Sequence, residues 1–83
     1  MEYTLKVPVK KVTGEEILTV TVKESFTGRD IETIGNEKGE GTQTLALVAA
    51  ATGLSMNTVR NMDFRDVAAI GNMAKPFLSD GEA

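Results

Sequence analysis

No residue combination in this 83-residue chain is typical of catalysis. The chain contains no His, no Cys and no Trp. It therefore lacks a side chain that titrates near neutral pH, and it lacks a thiolate for nucleophilic attack, disulfide formation or zinc binding. The acids are scattered, with Asp63 and Asp66 explained as residues of a helix start and Glu15 and Glu16 as a turn pair. The sequence predicts a non-enzymatic protein with no catalytic residue, cofactor, metal or small-molecule substrate.

One glycine-rich stretch, residues 35–42, superficially resembles a phosphate-binding loop. It lacks the Gly-Lys-Ser/Thr ending of such loops, and Glu37 and Glu40 would repel a phosphate. We interpret it as an acidic linker.

A second pattern, Leu45–Arg60, resembles the helix-turn-helix of bacterial repressors. Small residues would let two helices approach, Gly53 would form the turn, and Ser55 would cap the second helix. Base contacts would then fall to three exposed residues of that helix, Met56, Asn57 and Arg60.

The charge of the chain argues against this DNA-binding alternative. The formal net charge is −3 and the pI is about 4.8, whereas nucleic-acid-binding domains usually carry a basic face. A single Arg on the recognition helix offers few phosphate contacts. A small helix-turn-helix regulator therefore remains an alternative, and we expect no nucleic-acid partner.

The first 24 residues predict a β-hairpin. Tyr3, Leu5, Val7 and Val9 alternate with polar residues, and Leu18, Val20 and Val22 share one face of a second strand. A turn at residues 13–15 joins the two strands. Pro8 cannot donate a ladder hydrogen bond, which indicates an edge strand or a bulge.

Residues 25–78 predict three or four short helices. Thr27, Thr42, Ser55 and Asp63 are the expected N-caps. Gly35 is expected just beyond the first helix, at its C′ position, and Gly53 is expected to end the second. The first two helices should span about 28–34 and 43–52. The last should run from Asp63 to about Lys75, where Pro76 should stop or kink it. The chain is thus predicted to be one α+β domain, residues 1–83, with a frayed tail at 79–83.

The last helix carries two apolar stripes, more apolar surface than one small core needs. We therefore predict that one stripe and nearby Met residues contact a partner. The predicted partner-binding residues are Met62, Phe64, Ile70, Met73 and Phe77.

Self-association is the second predicted contact. A chain of this length buries only about 60% of its unfolded surface and is often marginally stable alone. The second strand would offer an open edge to another subunit at Ile17, Thr19 and Thr21. We therefore expect a homo-oligomer.

No membrane segment is predicted. The longest apolar run, Leu45 to Ala51, has seven residues, and a bilayer-spanning helix needs about 20. The first residues also lack the apolar stretch of a signal peptide.

The order of these segments resembles a known family. The hairpin runs into Thr27-Gly28-Arg29-Asp30, which is followed by a variable loop, Thr52-Gly53-Leu54, Asp63-Phe64-Arg65-Asp66-Val67 and a closing Pro76-Phe77-Leu78. This arrangement, from about Leu5 to Leu78, is similar to the tail assembly chaperones of Mu-like, contractile-tailed bacteriophages.

The resemblance implies a function without chemistry. A chaperone of this family binds the long tape measure protein, keeps it soluble and helps the tail tube polymerise around it. It acts in the bacterial host cytoplasm and is not retained in the mature virion. The resemblance thus implies the tape measure protein, and the tail tube protein as a further candidate, as partners. A structural phage particle protein is the other alternative.

Overall fold

An antiparallel hairpin followed by four helices makes up the computed structural model, which describes residues 1–79. The strands are β1 (Glu2–Lys10) and β2 (Glu16–Thr21), and the helices are α1 (Gly28–Gly35), α2 (Glu40–Thr52), α3 (Met56–Arg60) and α4 (Phe64–Ser79). This confirms the predicted α+β fold. No helix within residues 1–79 has both the length and the apolar character needed to cross a membrane.

The two strands pair with an interrupted register. Thr4 lies opposite Thr19 and Val9 opposite Ile17, so four residues of β1 face a single residue of β2. Pro8 lies within this bulge, as its missing N–H predicted. The hairpin turn is closed by the Lys11 N–H, which donates to the Glu15 carbonyl at 2.8 Å, and Gly14 supplies the positive φ of 92°.

The bulge changes which strand residues reach the core. Leu5 and Val9 of β1 are buried, but Val7 is 41% exposed. In β2 the buried residues are Ile17 and Val20, whereas Leu18 is 55% exposed. The predicted apolar face of β2 was therefore wrong at Leu18, because strict alternation holds only in a regular ladder.

The hairpin and helices α2, α3 and α4 share one hydrophobic core. Helix α2 also touches the hairpin directly, since the Lys23 N–H donates to the Ala51 carbonyl at 2.9 Å. The buried core side chains are Leu5, Val9, Ile17, Val20, Val22, Leu47, Val48, Ala51, Val59, Met62, Val67, Ile70 and Ala74.

Three of the predicted helix starts are confirmed. The Thr27 hydroxyl accepts from the Asp30 N–H at 3.3 Å, and the Asp30 carboxylate accepts from the Thr27 N–H at 3.0 Å, forming a capping box. The Ser55 hydroxyl accepts from the Thr58 N–H at 3.2 Å. Before α4, the Asp63 carboxylate accepts from the Arg65 N–H at 2.9 Å.

Three predicted helix boundaries were wrong. Helix α2 begins before Thr42, with Gly39 as its N-cap at a φ of 88°. Gly35 is the last residue of α1, and Asn36 follows it in a right-handed conformation. Helix α4 continues through Pro76 to Ser79, so Pro76 does not stop it, and Leu78 beyond it packs against the core.

Gly53 does end α2, as predicted, in the left-handed conformation with φ 78°. The frayed tail predicted at 79–83 includes Ser79, which is the last residue of α4, while 80–83 lie outside the described residues.

Candidate partner-binding site

The first turns of α2 and α4 flank an open groove of about 390 Å³, here called the α2–α4 groove. The two helices pack side by side at this end, where a Cβ at Gly71 of α4 would make an ordinary van der Waals contact, at 3.9 Å, with Thr44 Cγ2 of α2. The groove is lined by Gly41, Thr42, Thr44, Leu45, Phe64 and Val67. None of these side chains titrates, so the groove can receive an apolar side chain but offers no acid, base or metal ligand.

Phe64 is the most exposed aromatic of the groove. It is the first residue of α4, where the chain has just left the α3–α4 turn, and its side chain is 79% exposed. Burying a Phe side chain contributes about 1.5–3 kcal/mol. Phe64 is therefore the strongest single apolar contact that the groove can offer to a partner.

The residue pair beside Phe64 is polar. Arg65 Nε lies 3.0 Å from Asp63 Oδ1 in an exposed ion pair. Hydrogen bonds from the Arg65 side chain and backbone N–H hold the pKa of Asp63 below its usual range. The groove mouth thus combines one apolar anchor with a charged pair, an arrangement typical of the rim of a protein contact.

The structure separates the five predicted partner-binding residues. Phe64 is exposed, and Met73 and Phe77 are half-buried. Ile70 is fully buried and Met62 is 8% exposed, so both belong to the core and no partner reaches them while the fold is intact. Ile70 on α4 and Met62 before it pack in the core with the hairpin and α2, and which of the five residues contacts a partner stays a prediction.

A second candidate surface is the outer edge of β2, defined by the outward backbone groups of Thr19 and Thr21. Met1 and Val22 exchange two hydrogen bonds, of 2.8 and 2.6 Å. Since antiparallel pairs alternate between bonded and non-bonded, Thr21 and Thr19 turn their N–H and C=O groups away from β1. Ile17, the third residue predicted at this edge, has a buried side chain.

One polar residue of functional appearance escaped the sequence analysis. Asp66, treated there as a first-turn residue of a helix, is fully buried and accepts four hydrogen bonds from β1. The donors are the Tyr3 hydroxyl at 2.8 Å, the Lys6 N–H at 2.9 and 3.1 Å, and the Val7 N–H at 3.2 Å. Every donor belongs to β1, so the Asp66 side chain links β1 to α4.

The pKa of Asp66 follows from these contacts. Burial raises it, but the hydrogen bonds from Lys6, Tyr3 and Val7 lower it by more, so the carboxyl titrates below its ordinary range. The same contact raises the pKa of Tyr3, chiefly because its hydroxyl donates to the Asp66 carboxylate. A carboxylate held in its charged form by four hydrogen bonds from three donors supports a fold and is poorly suited to proton transfer.

The α2–turn–α3 segment has the shape that the helix-turn-helix pattern predicted, with Gly53 in the turn and Val59 fully buried. However, α3 has only five residues, and the Arg60 guanidinium donates to Asn57 Oδ1 at 3.2 Å on the same helix. No set of three carboxylates that could hold a metal ion occurs among residues 1–79.

Comparison with known protein families supports the tail assembly chaperone over the helix-turn-helix regulator and the structural particle protein. The model of a family described as phage tail assembly chaperone proteins, E, or 41 or 14, matches residues 2–79. The chain belongs to this family. No curated protein and no solved structure matches the chain significantly.

Membership of the tail assembly chaperone family makes the α2–α4 groove and the outer edge of β2 candidate surfaces for protein contact. A chaperone acts by contact with other proteins, and the match includes both the α2–α4 groove and the outer edge of β2. The helix-turn-helix shape of α2 and α3 is thus part of a chaperone fold.

Proposed function

We propose that this chaperone binds the tape measure protein of its phage through the α2–α4 groove and keeps that protein soluble during tail assembly. The proposal extends the family assignment with one structural observation: Phe64 stands 79% exposed beside an open apolar groove. Exposed apolar surface that is continuous with a groove often marks a site of protein contact.

The chemistry of the groove suits a helical client. Tape measure proteins, the clients that the family resemblance implies, are long and helical with apolar stripes. An amphipathic helix can lay its apolar face into a groove, with Phe64 on one side and Leu45 in the lining. Met73 and Phe77, both half-buried, belong to the other apolar stripe of α4 and lie outside the lining of the groove.

The groove also suits release of the client. It is shallow and open, and a single exposed aromatic provides its main contact. Few strong anchors mean a fast dissociation rate, since affinity differences between related complexes arise mostly in that rate. We therefore propose that the chaperone acts transiently in the host cytoplasm, makes and breaks no covalent bond, and is absent from the finished virion. The tail tube protein is a further proposed partner, because the tube polymerises around the same client.

Co-expression with the tape measure protein tests the groove. Phe64→Ser removes the exposed ring, and Val12→Ser is the matched control because Val12 is 81% exposed in the hairpin turn, outside the lining of the α2–α4 groove. We expect wild type and Val12→Ser to keep the tape measure protein in the soluble fraction, and Phe64→Ser to lose at least half of that effect.

Two results would contradict the proposal. One is a tape measure protein that is equally insoluble with and without the wild-type chaperone. The other is a Phe64→Ser variant as effective as wild type. Thermal unfolding of both variants checks that they are folded, since exposed positions usually change stability by less than about 0.5 kcal/mol. Mass spectrometry of purified virions separates the chaperone from a structural particle protein, which would be found there.

A further inference from the structure

We propose that Asp66 is a positioning residue for the α2–α4 groove: by holding the first turn of α4 against β1, it fixes where Phe64 stands beside α2. The inference rests on the proposed function, because it concerns the affinity of the same groove for the same client. Asp66 itself is fully buried, so no client reaches it while the fold is intact. Its loss is expected to weaken client binding even in chains that remain folded.

The first turn of α4 lies between the hairpin and the groove. Residues three apart in a helix share a face, and Phe64 and Val67 both line the groove. Asp66 lies on another side of the helix and bonds to β1. A shift of this turn relative to β1 is therefore also a shift of Phe64 relative to α2.

Asp66 provides the long-range hydrogen bonds of this turn. The first N–H groups of a helix have no partner within it, so the position of the first turn depends on side-chain contacts. The Asp63 carboxylate bonds to the backbone and side chain of Arg65, and both residues belong to the same helix start and move with it. Of residues 63–66, Asp66 alone has a side chain that hydrogen-bonds to another element of the described structure.

The contact between Asp66 and β1 restricts both translation and rotation of the turn. Asp66 Oδ1 accepts from the Tyr3 hydroxyl at 2.8 Å and from the Lys6 N–H at 2.9 Å. Asp66 Oδ2 accepts from the Lys6 and Val7 N–H groups at 3.1 and 3.2 Å. Because both oxygens are engaged, the carboxylate cannot turn or slide without losing a hydrogen bond, and hydrogen bonds to a charged acceptor are stronger than neutral ones.

Phe64 depends on a fixed helix start. Its ring is 79% exposed, so packing does little to hold the ring, and its position follows the backbone of α4. When Phe64 is already in place, a client helix binds without further ordering of this turn, whereas a mobile turn would have to be ordered on binding. Asp66 therefore raises client affinity without contacting the client.

Suppression of aggregation measures this effect. Tape measure protein diluted from urea scatters light as it aggregates, and the chaperone concentration that halves the scattering reports the affinity. We expect Asp66→Asn to need about five-fold more chaperone than wild type, as expected when roughly one more side chain must be ordered on binding. Val20→Thr is the matched control: it also destabilises the fold, but in β2 and outside the groove lining, so it should match wild type.

Urea denaturation first checks that each variant is folded under the assay conditions. If Asp66→Asn is unfolded there, Tyr3→Phe replaces it, because this variant removes only one of the four hydrogen bonds to Asp66. The expected increase in chaperone concentration for Tyr3→Phe is then about two-fold, again with Val20→Thr as the control.

Combination with Phe64→Ser gives a result that a purely structural role cannot produce. If Asp66 acts through Phe64, adding Asp66→Asn to Phe64→Ser should raise the required chaperone concentration by a smaller factor than it does in wild type. If Asp66 only stabilises the fold, the factor should be the same with and without the Phe64 ring, because independent effects multiply. Equal factors would overturn the positioning role.

The outcomes also separate this inference from the proposed function. An Asp66→Asn variant as effective as wild type, or no more impaired than Val20→Thr, would overturn the positioning role alone, provided that Phe64→Ser is impaired. A Phe64→Ser variant as effective as wild type would overturn both, because the groove would then not be the client site.

Discussion

The outer edge of β1 faces α4, where the Asp66 carboxylate accepts the N–H groups of Lys6 and Val7, whereas the outer edge of β2 faces an open trough. Pro8 adds to the closure of β1, because it has no N–H to offer another strand. The two edges of the hairpin thus differ. The buried Asp66 carboxylate bonds to the backbone of the β1 edge, whereas the outward backbone groups of the β2 edge have no partner among residues 1–79.

The difference shows that the open edge is not a general consequence of a small fold. Closing the β1 edge required a fully buried Asp, a residue that is almost never fully buried without partners. The same device, or a single Lys or Pro in β2, would have closed the second edge. Three substitutions, each with its control or second measurement, test how the two edges differ in their contribution to stability.

The largest effect should come from Asp66→Asn. The amide would keep the size of the side chain but lose the negative charge and direct an NH₂ group at backbone donors. Hydrogen bonds to charged groups contribute about 1.5–3 kcal/mol and unsatisfied buried donors add to the loss, so we expect the free energy of unfolding to fall by about 2–3 kcal/mol. Urea denaturation measures this change.

Asp63→Asn is the control for that substitution. Asp63 lies three residues earlier and also accepts a backbone N–H, but it bonds only within its own helix start. Asn and Asp cap helices about equally well, so this variant should lose much less stability. Equal losses in the two variants would mean that the β1 edge depends on helix capping and not on the buried carboxylate.

The role of Asp66 could not be predicted from local sequence patterns, unlike the helix caps. The caps at Thr27, Ser55 and Asp63 were predictable because each bonds within three residues along the chain. The donors to Asp66 lie about 60 residues away, at a β1 bulge that no local pattern specifies. One signal was available: Asp66 shares the helical face of Ile70 and Ala74, where a lone carboxylate indicates a buried partner.

The candidate site could also be predicted only in part from the sequence. Periodicity identified apolar surface on α4 but could not tell which part of it the hairpin and α2 would cover. Met62 and Ile70 were therefore placed in the contact set although they are buried. Leu18 was placed in the core because the alternation rule takes no account of a bulge on the facing strand.

A smaller effect should come from Tyr3→Phe, which removes one of the four hydrogen bonds to Asp66. We expect a loss of about 1 kcal/mol in the free energy of unfolding at neutral pH. Because the pKa of Asp66 is lowered in the fold, its stabilising effect is present above the unfolded value of about 3.9 and is lost as pH falls through the folded value.

The pH dependence gives this variant a second measurement. Without the Tyr3 hydroxyl, the pKa of Asp66 should move up towards its ordinary value. The urea midpoint should then fall less steeply between about pH 5 and pH 2 than in wild type. A Tyr3→Phe variant with an unchanged acid slope would show that the backbone donors alone hold the carboxylate.

The smallest effect on stability should come from Leu18→Thr, at the open edge. Leu18 is more than half exposed and Thr is favoured in strands, so the free energy of unfolding of the monomer should change by less than about 0.5 kcal/mol. Val20→Thr is the matched control on the same strand: Val20 is 6% exposed, and burying a hydroxyl there should cost about 1–3 kcal/mol. Both are measured by urea denaturation at concentrations where the chain is monomeric.

If Leu18→Thr cost as much stability as Val20→Thr, Leu18 would be part of the core of the fold, and the β2 edge would differ from the β1 edge in hydrogen bonding alone. If the stability of Leu18→Thr is unchanged, Leu18 lies outside the core, at an edge on which the fold itself does not depend.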